Sequence, residues 1–355
     1  MTGTARLRTP LTELVGIEHP VVQTGMGWVA GPRLVSATAQ AGGLGILASA
    51  TMSYSELASA IAEVKQRTDA PFGVNLRADA DDAQQRVELL INEGVRVASF
   101  ALAPRKEMIA QLSEAGIVVI PSVGAARHAA KVASWGADAV IVQGGEGGGH
   151  TGEVATTLLL PSVLDAVDIP VIAAGGFYDG RGLAAALAYG AAGVGMGTRF
   201  LLTKESTVPD EVKQAYLASG LGDTVVTRKV DGMPHRVLRT DLVTRLEHAG
   251  GLRAFAHAAR NTLRFRKLTG VSWRALAREG LALRRGGDRT WSQLMMAANT
   301  PMLLRAGLVE GNLGAGVLAS GQVAGMLDDL PSVAELIEQI VDEAVERIDH
   351  LDTLH

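Results

Sequence analysis

The chain contains no cysteine among its 355 residues. That single absence removes disulfides, thiolate metal sites and cysteine nucleophiles from consideration, including the covalent thioimidate chemistry of nucleotide-dehydrogenase barrels. Aromatic residues are also scarce, at 4% of the chain. No apolar run reaches the length of about 18 residues that a membrane span needs, so no membrane role is expected. The formal charge of -4 gives no overall pull toward nucleic acid. Met1 to Leu14 carries two arginines but no apolar core followed by small residues, so it does not read as a secretory signal and a cytoplasmic location is expected. No His/Asp/Glu cluster has convincing metal spacing, and no metal is predicted.

What the chain has in abundance is glycine, 42 residues, with 47% hydrophobic content and 20% charged residues. This balance suits a large core joined by tight turns that bring backbone close to a ligand. From residue 19 to residue 203, short β-branched runs alternate with helix-compatible stretches, the βαβ pattern of a parallel sheet. Strands are predicted at Pro20 to Gln23, Gly43 to Leu47, Phe72 to Leu76, Val97 to Ala101, Val118 to Ser122, Ala139 to Gln143, Pro170 to Ala174 and Gly193 to Gly197. Helical segments lie between them, among them Tyr54 to Gln66, Leu160 to Ala166 and Gly180 to Tyr189. Several end in an Ala-Gly or Gly-Ala step, where glycine supplies a left-handed cap before the next strand. Eight strands in this repeat favour an α/β fold of the closed TIM (β/α)8 type over an open doubly wound sheet.

Beyond Phe200 the alternation stops. Mixed loops run to about residue 245, a basic helical region spans 253–289, and an amphipathic helix covers Ala334 to Ile348. No clear strand alternation is visible there. The expected organisation is a barrel at 1–203 and a mainly helical extension or lid at 204–355, packed as one unit.

In such barrels the C-terminal strand ends carry chemistry, and the loops after strands seven and eight commonly hold a phosphate. Strand seven here ends in Ala174-Gly175-Gly176 and strand eight in Met196-Gly197-Thr198. Side-chain-free positions let backbone N–H groups face an anion, and the Thr198 hydroxyl adds a donor. The plainer alternative is that these glycines only relieve crowding; their place at both expected strand ends favours phosphate. Gly25 and Met26 follow strand one, while Asn75, Ser122 and Gln143 close strands three, five and six. Their amide and hydroxyl groups suit the mixed donors and acceptors of a flavin ring without committing a charge, although each alone could be an ordinary loop cap.

The run Gln143-Gly144-Gly145-Glu146-Gly147-Gly148-Gly149-His150 is the most specific feature. So many bulk-free positions would waste conformational entropy in a simple connector, which points to close approach by a ligand near Gly148 and Gly149. His150 is the candidate general base or hydrogen-bond donor to a substrate oxygen, the plainer alternative being a surface histidine in a loop. No lysine lies at a predicted strand end, against Schiff-base aldolase chemistry.

As an ordered set these motifs, with Ala41-Gly42-Gly43-Leu44-Gly45, Gly73-Val74-Asn75, Met196-Gly197-Thr198-Arg199-Phe200 and Ala319-Ser320-Gly321-Gln322-Val323, resemble the nitronate monooxygenase family, formerly called 2-nitropropane dioxygenases, and through it the flavin-containing enoyl-ACP reductases. The resemblance implies noncovalent FMN on a β/α barrel, its phosphate on the Gly175-Gly176 and Gly197-Thr198 turns and its ring near Gly25, Met26 and Asn75, with His150 as the catalytic base. The segments Val22 to Ser49, Gly144 to Leu160, Asp231 to Thr240 and Thr300 to Leu330 resemble a narrower branch from steroid-degrading bacteria. That branch is associated with hydrindane-type carboxyl-CoA thioesters of the late C and D rings, and the activity it implies is introduction of a double bond.

The basic region bears on a CoA ligand independently. It holds Arg253, Arg260, Arg264, Arg266, Lys267, Arg274, Arg278, Arg284, Arg285 and Arg289 against only Glu279 and Asp288. Arginine forks suit phosphate groups, and Arg264, Arg266, Lys267, Arg284 and Arg285 are the candidates for those of CoA. A solvated helical face or a homo-oligomer contact explains the same charge equally well. Three functions follow in order: desaturation of a CoA thioester, oxidation of alkyl nitronates with oxygen, and a non-redox phosphate-binding or docking barrel.

Overall fold

The computed structural model describes residues 7–230, 232–248 and 291–354, with the backbone alone for 291–299. The basic region at 253–289, with all five CoA candidates, lies outside the described residues.

Eight parallel strands close on themselves: β1 (Val21–Gln23), β2 (Leu44–Ala48), β3 (Gly73–Leu76), β4 (Val97–Phe100), β5 (Val118–Val123), β6 (Val140–Gln143), β8 (Val171–Ala174) and β9 (Gly193–Met196); the short β7 (Gly149–His150) belongs to another sheet. Closure is the pairing of β1 with β9, Val22 opposite Gly195 and Gln23 opposite Met196. The fold is the TIM barrel that the sequence predicts. Alternation within each strand builds two cores. Leu44, Ile46, Val97, Val118 and Ile120 join one buried cluster, whereas Leu47, Ala98 and Val119, one residue out of step, join the other with Leu57, Ile61, Val87 and Ile109 of the outer helices. That is the period of two that a strand buried on both faces imposes. Leu11 and Val15 of α1 (Pro10–Val15) join the first cluster. The α1 N-cap, Thr9, donates to the Ala192 carbonyl (2.7 Å), which ties the helix to the end from which the strands start.

The chain divides into two compact units. The barrel unit comprises 1–147, 151–207 and 326–355. It includes the long last helix, Val333–Asp352, which starts on a Ser332/Glu335 capping box and packs on the helix Gly180–Ala188. Glu343 fixes that packing by accepting from the Gly180 N–H at 2.8 Å. The buried Arg199 guanidinium donates to Asp329 (2.6 Å) and to the Leu202 carbonyl (2.9 Å), tying the segment after β9 to the approach to the last helix.

The second unit comprises 148–150 and 208–325. The sequence shows no clear strand alternation beyond the barrel, and here the structure differs. A three-stranded antiparallel sheet is ordered β10 (Thr224–Thr227), β11 (His235–Leu238), β7 (Gly149–His150). These strands escape a periodicity reading because each is four residues or fewer and one is supplied from a distant point in the chain. Val230, Val237, Val243 and Val317 form a small buried cluster behind them. Among the described residues no helix is long and apolar enough to cross a membrane.

Candidate active site

The β1–β6 and β8–β9 strand ends bring the predicted residues of the barrel unit to one rim. Gly25 and Met26 follow β1, Asn75 and Ser122 lie within the last turns of β3 and β5, Gln143 ends β6, Gly175 and Gly176 follow β8, and Gly197 and Thr198 follow β9. Close packing binds these loops to each other. A Cβ added to Gly25 would stand 2.6 Å from Asn75 Cβ, so Asn75 sits directly under the first loop. Asn75 is itself held: its carbonyl accepts from Ser49 Oγ (2.7 Å) and its Nδ2 donates to Ser99 Oγ (3.3 Å). Thr24 joins the first and last loops, its N–H reaching the Met196 carbonyl at 3.1 Å.

The glycine-rich loop is rigidly seated. Gly144 N–H donates to Ala174 O (3.0 Å), Gly145 N–H to Val154 O (2.7 Å) and Gly147 N–H to Gly144 O (3.1 Å). Glu146, the one charged residue in the run, turns inward as a helix cap. Its carboxylate accepts from the Thr156 N–H (3.0 Å) and from Thr156 Oγ1 (2.8 Å) at the start of the helix Thr156–Leu164. The favourable end of the helix dipole faces that negative charge. This distant cap also explains why the helix begins four residues before the predicted Leu160. Thr156 Oγ1 lies within 2.9 Å of the Gly175 carbonyl as well, so the cap and the turn after β8 share one hydroxyl.

Gly175 and Gly176 both have φ of +89°, a backbone region that L side chains rarely adopt. They form a bulk-free turn beside Gly197, whose missing Cβ would face Met26 Sδ and Thr24 Oγ1 at 3.4 Å. Further along the rim, Gln23 is fully buried, donates through Nε2 to Ile46 O (3.3 Å), and keeps an Oε1 with no hydrogen-bond partner among the described residues. The rim therefore offers neutral donors and acceptors, bare backbone at two neighbouring turns and one unsatisfied buried acceptor. A phosphate-bearing, hydrogen-bonding cofactor fits this set. Among the described residues no His/Asp/Glu group could hold a metal ion.

In the second unit, Gly148, Gly149 and His150 are built into the sheet rather than hanging in a loop. Arg236 pairs opposite Gly149 and His235 opposite His150. The two imidazole centroids are 4.7 Å apart with planes at 55°. His150 is exposed; His235 is only 2% exposed. Gly148 lies against the Ser320-Gly321 backbone, where a Cβ would stand 2.5 Å from Gly321 N. That segment is pinned to β11 by Leu238 N–H to Leu318 O (2.9 Å) and Ser320 N–H to Arg236 O (3.2 Å). Tyr216 adds a buried hydroxyl that donates to Ala319 O at 2.7 Å, and burial pushes its phenol pKa well above the ordinary value. The Ala319-Ser320-Gly321 motif is thus the backbone support of the β7 strand. Sequence reasoning missed His235 and Glu146 as site-building residues. His235 lies within the 231–240 segment already singled out, but only the strand pairing reveals its neighbour.

A family model described as nitronate monooxygenase matches residues 8–86 and 80–343. A Rhodococcus jostii (strain RHA1) protein named (3aS,4S,5R,7aS)-5-hydroxy-7a-methyl-1-oxo-octahydro-1H-indene-4-carboxyl-CoA dehydrogenase is 73% identical over 348 residues, 98% of this chain and 99% of that protein. The Mycobacterium tuberculosis (strain ATCC 25618 / H37Rv) protein of the same name is 73% identical over 351 residues, 98% of each chain. Among solved structures, FabK from Thermotoga maritima superposes with a TM-score of 0.81 at 38% identity, covering 98% of this chain and all of that one.

Proposed function

The chain belongs to the nitronate monooxygenase family, and from that premise we propose that it is a flavin-dependent dehydrogenase that introduces a carbon–carbon double bond into a hydrindane-type carboxyl-CoA thioester. The observation that carries this reading is the 73% identity, along nearly the whole of both chains, to the two hydrindane carboxyl-CoA dehydrogenases.

The cofactor proposed is FMN. Its single phosphate suits the bare backbone of Gly175, Gly176 and Gly197 with the Thr198 hydroxyl, and its ring suits the neutral groups of Gly25, Met26, Asn75, Ser122 and Gln143. When bound, the flavin supplies the acceptor for the hydride that leaves the substrate's β carbon. The protein's part is to position and to handle the proton. His150, three residues beyond Gly147 in the run, is the proposed base: a neutral ring nitrogen takes the proton α to the thioester carbonyl, which spreads the developing enolate charge. Its exposed ring can then pass the proton to water. Gly149, where an added Cβ would meet nothing within 4 Å, leaves room beside it, whereas the bare face of Gly148 is taken up by the Ser320-Gly321 backbone. Arg264, Arg266, Lys267, Arg284 and Arg285 are the proposed partners of the CoA phosphates, on the strength of their charge alone.

The test is anaerobic. Purified protein is expected to carry FMN, and a hydrindane-carboxyl-CoA is expected to bleach its visible band. Bleaching by alkyl nitronates alone, together with steady oxygen consumption on the same nitronates in a separate aerobic assay, would replace this reading with nitronate oxidation, the second reading, which the family model favours. A colourless protein that takes up no FMN would point to a non-redox barrel.

A further inference from the structure

We infer that His235 is a positioning residue for His150, acting through its ring. This rests on the reading of His150 as the base. β7 is only two residues long, and its other residue is a glycine, so the strand itself restrains the His150 side chain weakly. β11 adds a restraint of its own. Directly opposite residues of an antiparallel pair project to the same face of the sheet, and the register places His235 opposite His150 on one side and opposite Thr227 on the other. The three side chains form one row across the sheet: a buried threonine, a buried imidazole and an exposed imidazole. Thr227 is fixed from behind, since its hydroxyl donates to Glu247 and accepts from the Lys229 N–H (3.0 Å).

The arrangement makes His235 a flat, immobile wall. A ring held in a sheet interior loses its rotamer freedom on folding, and a tilted ring pair with centroids 4.7 Å apart lies in the favourable range for aromatic contact. His150 gains a preferred orientation while its outer side stays open to substrate. In the middle strand of a small sheet a β-branched residue would satisfy packing, as Val237 does two positions on. A buried imidazole costs desolvation that such a residue would avoid, and it sets a flat ring against the neighbour it meets.

The experiment measures anaerobic flavin reduction by the hydrindane-carboxyl-CoA in the holoenzyme, with kcat and KM, for His150→Ala, His235→Leu, His235→Phe and the double variant His150→Ala/His235→Leu. Loss of the base slows reduction by roughly a hundredfold to ten-thousandfold. Loss of its orientation through His235→Leu should lower kcat on the order of tenfold to a hundredfold with KM within about twofold. His235→Phe, which keeps the ring, should restore kcat to within about threefold of wild type. In the His150→Ala background the leucine should cost nothing more.

If His150→Ala reduces at the wild-type rate, the reading of His150 as base fails. If His150→Ala is slow but His235→Leu is not, or if leucine costs the same factor in both backgrounds, the positioning role alone fails. Should the leucine variant not fold, the ring contact is tested in the wild-type protein by nuclear Overhauser transfer between the two labelled imidazoles. Its absence overturns the inference.

Discussion

Replacing Gly175 with alanine and, separately, Gly176 with alanine separates two costs that usually arrive together. Both residues have φ of +89°, so either methyl group forces an L residue into left-handed backbone, at about 1–2 kcal/mol. Their surroundings differ. At Gly175 the new Cβ would meet Gly144 O at 3.0 Å, Gly144 N at 3.1 Å and Gly147 N at 3.2 Å, all backbone of the seated glycine-rich loop. At Gly176 the nearest atom is Glu146 Cβ at 3.7 Å, an ordinary contact. Overpacking against a backbone that cannot swing aside adds about 1–3 kcal/mol at Gly175 and essentially none at Gly176. Gly175→Ala should therefore lose roughly 2–5 kcal/mol and Gly176→Ala roughly 1–2 kcal/mol in urea denaturation of the flavin-free protein. Because the displaced loop borders the proposed phosphate turn, FMN titration by flavin fluorescence should show Gly175→Ala the weaker binder, by about tenfold for each 1.4 kcal/mol that the distortion removes from binding. Equal losses for the two variants would refute the packing argument.

Glu146→Gln should destabilise the protein by about 1 kcal/mol, because the cap on the helix Thr156–Leu164 loses its charge while keeping its shape, and thermal unfolding checks it. Tyr216→Phe should cost about 1 kcal/mol by leaving the half-buried Ala319 carbonyl without its donor, and alkaline difference spectra of the wild type should show one phenol that resists ionisation until the fold opens. The Glu335 carboxyl is held down to about 2 from its ordinary 4.5, first by the Ser332 backbone N–H and then by Lys204. A depressed acid stabilises the fold above its unfolded value and loses that contribution as pH falls, so the wild-type advantage over Glu335→Gln should be full above pH 4.5 and vanish by about pH 2. Circular dichroism of both proteins across that range would detect a difference that fails to close.

The barrel was legible in the sequence because each buried parallel strand is a short, mostly apolar run between turn residues, and the eight observed strands depart from the expected ones by one residue at an end, β2 at both ends. Gly175, Gly176 and Gly197 were legible as turns for the same reason: strand ends are where the chain must bend. The helix Thr156–Leu164 was shortened because its cap, Glu146, stands ten residues upstream, and Pro161 inside it resembles a helix start. The sheet β10-β11-β7 was invisible. A Gly149–His150 strand has no propensity of its own and exists only because β11 supplies partners from some 85 residues away. The basic region stays a matter of charge, since it lies outside the described residues.

The run from Gln143 to Thr151 is shared out: 144–147 is bonded into the barrel unit, 148–150 is a strand of the other sheet, and 151 returns to the barrel. Recombination between relatives must respect this. A chimera that exchanges 208–325 as one cassette would give β11 a foreign edge partner, whereas one that carries 148–150 along with it would transplant the sheet whole. Family members are therefore expected to keep these three residues and β11 matched to one another, inherited as a single block.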